Sequence, residues 1–282
     1  MAQTSPRATA VAHVDTRSSW KLDLKWIAGL LAALFVGAAL LLFGLARVTA
    51  PTTAIDVMTT STALLFSQNG LDDPTDIDQL RQQLAESPTG TLQPLPGQDI
   101  TVRAADLTGK TPREIRLTIF KKLAQQIYNV DQRQGMLKGS SPAEQLGVLA
   151  FFTHPMHLRL VHWSWIAAAV ALVFLGVLVW FSRRFGRLVS PGVVLLVMGL
   201  PFAAATLIVE RSFVQQAAPP GQAETSAVIG YVGGYVGPAI MRALGSPYRW
   251  AVLVGLGLLL AALVARLLYG ITHKHKSAKK AS

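Results

Sequence analysis

Three histidines lie close together in the segment THPMHLRLVHW, at positions 154, 157 and 162. Imidazole nitrogens that converge can bind zinc or copper, especially beside a carboxylate such as Glu210. On one continuous helix, His154, His157 and His162 share a broad face. However, their spacing matches no short metal-binding motif, and Pro155 falls between the first two. An interfacial structural role is therefore favoured over a bound divalent metal, and no cofactor is predicted.

The segment AVIGYVGGYVGPAI, residues 227–240, contains four glycines and two tyrosines. A potassium-type filter needs a TVGYG-like order behind a pore helix, and this segment lacks the threonine. On a helix the glycines form one face that allows close packing: Gly230, Gly233, Gly234 and Gly237. Tyr231 and Tyr235 project together from another side as candidate partner contacts. We interpret residues 227–245 as an interfacial or re-entrant helix that packs through its glycines, with a pore lining and a flexible loop as alternatives.

Motifs that carry catalysis are missing from the chain. It contains no phosphate loop, dinucleotide fingerprint, HExxH or GxSxG motif. It has no cysteine, which excludes thiolate-ligated zinc and iron–sulfur sites. The acids Asp72, Asp73, Asp76 and Asp78 lack the pattern of an EF-hand calcium site. Asp73 and Asp76 are better explained as favourable charges at the start of a helix.

Four long apolar runs organise the chain, each near the ~20 residues that a helix needs to cross a bilayer. They are residues 26–46, 163–181, 188–209 and 251–268. They contain almost no ionisable residue, which argues against a proton-coupled pump or an intramembrane hydrolase. The remaining segments are a partly disordered basic N-terminal segment (1–25), a long loop (47–162), a basic link (182–187), a second loop (210–250) and a basic tail (269–282).

The distribution of charge indicates how these spans are oriented. The chain has a formal net charge of +11. Residues 1–26, 182–187 and 266–282 together hold twelve Lys/Arg and two Asp, whereas the loop 47–162 holds 11 basic and 11 acidic residues. The positive-inside rule then places both termini in the cytoplasm. All six tryptophans lie at predicted membrane boundaries, as this topology requires. No nucleic-acid partner is expected, because no binding motif is present.

The loop 47–162 is predicted to fold as a small, mainly helical extracytoplasmic domain. Its clearest helix is TPREIRLTIFKKLAQQIY, in which Thr111 and Glu114 have capping-box spacing and Pro112 suits the first turn. The apolar stripe of this helix comprises Ile115, Ile119, Leu123 and Ile127. Further helices are expected in DPTDIDQLRQQLAES and from Pro142 to Phe152, and a short strand is expected in PLPGQDITVRA.

Small residues also recur at every fourth position in the first and last spans, where they can form flat strips for helix packing. The strips are Gly29, Ala33 and Gly37, and Gly257, Ala261 and Ala265.

The sequence therefore predicts an α-helical integral membrane protein with four transmembrane helices, in a prokaryotic plasma membrane. The favoured function is a non-enzymatic membrane subunit or scaffold, which binds a membrane protein or a second copy through its external domain and Gly-rich helix. One alternative is a channel or transporter component in which an oligomer is lined by residues 227–240. The other is a metal-dependent external enzyme that uses His154, His157 and His162.

Overall fold

The structure is a computed structural model that describes residues 19–65, 71, 77–78, 82, 86–87, 91–95, 98–101, 109–129, 151–182, 186–216 and 225–278. The elements within these ranges are α1 (Ser19–Val48), α2 (Pro51–Leu65), β1 (Thr91–Leu95), β2 (Gln98–Thr101), α3 (Pro112–Tyr128), α4 (His154–Phe181), α5 (Gly186–Gln216) and α6 (Thr225–Ala278). The expected disordered N-terminal lead, most of the helix expected from Pro142 and the middle of the basic link lie outside the described residues.

Four of these helices are long and apolar enough to cross a membrane, which confirms the four predicted spans. They are α1 over Asp23–Val48, α4 over His154–Phe181, α5 over Gly186–Val214 and α6 over Val232–Tyr269. Large apolar side chains point outward from them, since Trp26, Leu172 and Trp180 are 73%, 68% and 81% exposed. Such side chains belong in a lipid bilayer, and the chain is a multi-pass membrane protein.

The first pair of spans, α1 and α4, packs through aromatic rings. Phe35 stacks on Phe174 with ring centroids 5.5 Å apart. Closer to the end of α1, the Phe43 ring meets the Trp165 ring edge-on, also at 5.5 Å. As positions advance along α1 they retreat along α4, so the two helices are antiparallel. These rings add directional contacts to the packing of two apolar helices.

The second pair, α5 and α6, packs through glycines. A Cβ atom at Gly192 would lie 3.1 Å from the Gly255 carbonyl oxygen, and one at Gly245 would lie 2.5 Å from Thr206 Oγ1. Only glycine allows backbones to approach this closely. By contrast, a Cβ atom at Gly257 would meet nothing within 4 Å. Gly257 therefore takes no part in a close helix contact among the described residues.

The domain formed by the loop 47–162 begins where α1 ends, and we call it the external domain after its predicted location. α2 packs against α3, and their shared core holds the predicted apolar stripe of α3. Its buried members are Ala54, Met58, Ile77, Ile115, Ile119, Leu123, Ala124, Ile127 and Tyr128. Ile77 and Gln82 are helical, in line with the helix expected there. The expected single strand is instead an antiparallel pair, β1 with β2.

The predicted capping box of α3 is confirmed. Thr111 Oγ1 accepts a hydrogen bond from the Glu114 backbone N–H at 3.4 Å, and the Glu114 carboxylate accepts one from the Thr111 backbone N–H at 2.9 Å. The hydrogen bond from the Thr111 backbone N–H to the carboxylate lowers the pKa of Glu114 most, and the Thr111 side chain lowers it further, because both stabilise the charged carboxylate. The cap fixes the start of α3.

The Gly-rich helix is not a separate interfacial or re-entrant element. α6 runs without a break from Thr225 to Ala278, through Pro238 and Pro247. A helix of 54 residues is about 80 Å long, whereas the hydrocarbon core of a bilayer is only about 30 Å thick. We call residues 225–249 the α6 arm, because they precede the apolar run predicted as a span at 251–268 and extend toward α2. The helix continues through Pro238, and it packs against α5 on both sides of this proline, at Gly237 and at Gly245.

Candidate functional site

The boundary between the spans and the external domain holds an ion-paired cluster. Glu210 follows the apolar run of α5, and its side chain is only 17% exposed. Its Oε1 accepts hydrogen bonds from Arg242 Nε at 3.2 Å and Nη2 at 3.1 Å, and its Oε2 accepts one from Arg249 Nη2 at 3.2 Å. Two guanidinium groups thus compensate one largely buried carboxylate. The cluster fixes the register of the α6 arm against the end of α5.

The joint between α1 and α2 centres on Thr49, which is completely buried. Its hydroxyl donates within the last turn of α1, where the carbonyl oxygens of Leu45 and Ala46 lie at 3.0 and 3.2 Å. Its own carbonyl oxygen accepts a hydrogen bond from the Tyr128 hydroxyl of α3 at 3.3 Å. The last carbonyl groups of a helix lack partners within the helix, so a side chain of the external domain here satisfies one of them.

His157 connects α4 to the joint between α1 and α2. Its Nδ1 lies 3.0 Å from the Ala46 carbonyl oxygen and 3.3 Å from Thr49 Oγ1. A carbonyl oxygen can only accept, so Nδ1 carries the proton in this contact. When the ring is neutral, Nε2 is then an acceptor. One of the three candidate metal ligands is therefore a structural contact between two spans, α1 and α4.

The other two histidines lie apart from this contact. The His154 ring packs edge-on to Tyr128 at 5.7 Å and lies 6.5 Å from the His157 ring. His162 lies beside Trp163, with ring centroids 6.3 Å apart. α4 begins at His154 with Pro155 in its first turn, so the proline does not interrupt the helix. In the part of the chain that the structure describes, no three His, Asp or Glu residues could hold a metal ion.

The glycine face of the α6 arm is covered by α5. A Cβ atom at Gly237 would lie 2.6 Å from Phe213 Cγ, and one at Gly233 would lie 3.4 Å from Phe213 Cε1. This phenylalanine ring occupies the surface that would have to line a pore at these two positions. Gly230, Gly234 and Tyr231 are also helical, although the surroundings of Gly230 and Tyr231 fall outside the described part of the structure. Tyr235 is 44% exposed.

The α6 arm also packs against the external domain. Val232 packs against a small cluster formed by Ala63, Leu64 and Leu71, together with the partly buried Leu117 and Phe120. These residues come from α2, α3 and the segment between them. The arm therefore contacts α5 with one face and the external domain with another.

Comparison with protein-family models, with curated proteins and with solved structures gives no match. Function must therefore be derived from the residues of this chain and their geometry.

Of the residues that hold this boundary together, His157 and Glu210 were named in the sequence analysis, but Thr49, Arg242 and Arg249 were not. The order Thr-Ala-Pro at positions 49–51 is a signal for the end of one helix and the first turn of the next. Glu210 is a lone acid at the end of a span, which has to find a cation when it is buried. Nothing local identifies Arg242 and Arg249 as its partners, because they lie 32 and 39 residues along the chain.

Proposed function

We propose that the protein is a non-enzymatic membrane subunit or scaffold that holds its external domain in a fixed orientation for a protein partner. The observation that supports this most directly is the attachment of the domain to three of the four spans. α1 leads into α2 at Thr49, α4 is tied to that joint by His157, and α6 contacts the domain through Val232. Such an anchor suits the presentation of a surface rather than a large movement.

The exposed face of α3 is the surface that we propose for the partner. Arg113, Lys121 and Gln125 are exposed on the side of α3 opposite its buried stripe. They are spaced by multiples of four residues, so they lie along one line of the helix. Long polar side chains of this kind match the polar rim of a protein–protein interface. In the orientation given by the positive-inside rule, this face lies outside a prokaryotic plasma membrane.

The composition of the spans favours a role without catalysis or ion transfer inside the membrane. Residues 27–46, 163–182, 188–209 and 251–265 contain no Asp, Glu, Lys, Arg or His. Ion pathways and intramembrane catalysis rely on ionisable side chains within the membrane. This composition favours a scaffold over a pump.

The proposal can be tested with a photo-reactive amino acid placed at Gln125 in native membranes. We expect a discrete crosslinked product that is absent when the same group replaces Leu172, which is 68% exposed on a span. A product of twice the mass of the chain would identify the partner as a second copy. The substitution Lys121→Glu should reduce the yield, and Arg266→Glu, at the far end of α6, should not.

The proposal would be overturned if Arg113, Lys121 and Gln125 all gave no more product than Leu172. A protein that is also alone and monomeric after gentle extraction into nanodiscs would strengthen that result.

A further inference from the structure

A cleft with a volume of about 560 Å³ opens between the start of α2 and the α6 arm, at the membrane boundary. This volume lies within the range of small-molecule sites. Three arginines line the cleft, Arg47 from the end of α1 and Arg242 and Arg249 from α6. Its other polar lining residues are Thr52, Thr53, Asp56 and Ser246.

The charges in and beside the cleft do not cancel. Glu210 binds both Arg242 and Arg249, so one carboxylate faces two guanidinium groups. Arg47 is exposed, and no described residue forms an ion pair with it. Asp56 adds one carboxylate to the lining. When both carboxylates are counted, one positive charge remains in excess.

Arg249 also has an unused donor. Its Nε is buried and has no hydrogen-bond partner among the described residues. Its Nη2 is already bonded to Glu210, but a guanidinium group has five N–H donors in a planar fork. A buried donor without an acceptor is unfavourable, so a shift of the Arg249 side chain that brings Nε to a bound oxygen atom would be stabilising.

The cleft continues into the surface that faces lipid. Its lining includes Trp250 and Leu253, which are 64% and 58% exposed on α6. A tryptophan at this level lies where lipid headgroups meet water. Trp250 and Leu253 thus form an apolar floor of the cleft. A ligand with an anionic head and an apolar tail would match both the arginines and this floor.

We propose that the cleft binds a phosphodiester group, with its apolar floor favouring the headgroup of a membrane phospholipid over a soluble phosphate ester. Arginine binds phosphate oxygens through paired, charge-assisted hydrogen bonds. The hydroxyl groups of Thr52 and Ser246 can donate to the remaining oxygens. Asp56 repels a second negative charge, so a singly charged phosphodiester is preferred to a doubly charged phosphomonoester.

The test is native mass spectrometry of the purified full chain in a phosphate-free detergent. Dioleoylphosphatidylglycerol is the lipid probe, and inorganic phosphate and glycerol 3-phosphate are the soluble probes. We expect saturable binding of one lipid molecule. Arg47→Gln should weaken it about tenfold, the loss of one hydrogen bond to a charged group. Arg266→Gln makes the same charge change about 25 Å along α6 from Arg249 and should leave binding unchanged.

A second pair of variants tests whether removing a negative charge from the cleft strengthens the binding of an anionic ligand. Asp56→Asn should tighten binding of phosphatidylglycerol and reduce discrimination against phosphatidate, whereas Asp23→Asn, at the start of α1, should do neither. Arg47 and Asp56 are exposed, so an unchanged melting temperature should show that both variants fold.

Three results would overturn the proposal. They are no saturable binding of any probe, equal weakening by Arg47→Gln and Arg266→Gln, or no response to Asp56→Asn. Saturable binding of a soluble probe that competes with the lipid would support the phosphoryl site and assign it a soluble ligand. Lipid binding without such competition would support the site and assign it a headgroup.

Discussion

Gly237 and Gly257 lie on the same helix but have opposite surroundings. A Cβ atom at Gly237 would meet Phe213 Cγ at 2.6 Å, at the base of the ring where the side chain has little freedom to move away. A Cβ atom at Gly257 would meet nothing within 4 Å. The two positions therefore form a matched pair for substitution by alanine. Alanine raises the helix propensity at both positions, but its methyl group clashes with a neighbour only at position 237.

We expect Gly237→Ala to destabilise the protein by about 1–3 kcal/mol, because the added methyl group overpacks the contact with Phe213. Gly257→Ala should be neutral or stabilising by up to about 1 kcal/mol, since alanine is the better helix former. Thermal unfolding of both variants in one detergent measures the difference. Adding Phe213→Ala should remove the penalty at Gly237. Equal melting temperatures for the two single variants would show that the arm is not packed as described.

Tyr128 gives the external domain a dependence on alkaline pH. Burial raises the pKa of its phenol above the ordinary value of 10.0. Above that value the unfolded chain loses the proton while the folded chain keeps it, so stability falls as pH rises from about 10 toward the raised pKa.

The substitution Tyr128→Phe should therefore flatten the alkaline loss of stability. Near neutral pH the same substitution should lower the free energy of unfolding by about 0.5–1.5 kcal/mol, because the hydrogen bond to the Thr49 carbonyl oxygen is lost. Chemical unfolding at a series of pH values, with the parent chain as the reference, separates the two effects. The same alkaline slope in both proteins would contradict the assignment to Tyr128.

At the scale of elements, the α6 arm connects the last span with the external domain. It packs on α5 through Gly233 and Gly237 and on α2 through Val232. Because α6 is one continuous helix, the same element contains both the last span and the residues that contact the external domain. This link accounts for a helix far longer than the bilayer requires.

We expect Val232→Ala to loosen α2 while leaving the spans in place. The loss of about 1 kcal/mol of apolar packing should speed amide hydrogen exchange near Ala63 and Leu64 roughly fivefold, because local opening becomes easier. The control is Val254→Ala on the same helix, where the side chain is 52% exposed. Equal exchange in α2 of both variants would mean that the arm does not support the domain.

For the whole molecule, the positive-inside rule predicts that the external domain and both termini lie on opposite sides of the membrane. The lack of cysteine makes single-cysteine labelling unambiguous. We expect Lys121→Cys to react with an impermeant maleimide in intact cells and Lys274→Cys to react only after permeabilisation, because the positive-inside rule orients the basic tail toward the cytoplasm. Reversed accessibility would invert the orientation, and labelling of both from outside would refute the four-span arrangement.

The sequence alone determined those features that depend on neighbouring residues. The four spans follow from the length of their apolar runs, and the start of α3 follows from Thr111 and Glu114, three residues apart. The buried stripe of α3 could also be predicted, since helical periodicity places its members on one face. Each of these signals lies within a single element, so no knowledge of the fold was needed.

Only the tertiary structure decided the rest. A proline removes one hydrogen bond from a helix, yet α6 continues through Pro238 because contacts with α5 on both sides outweigh this loss. The pattern of histidines suggested a shared face, yet the Nδ1 of His157 binds a carbonyl oxygen 111 residues away. The cleft combines Arg47 with Arg242 and Arg249, which belong to helices far apart in the chain. Such contacts depend on how helices pack in three dimensions, and no sequence spacing encodes that.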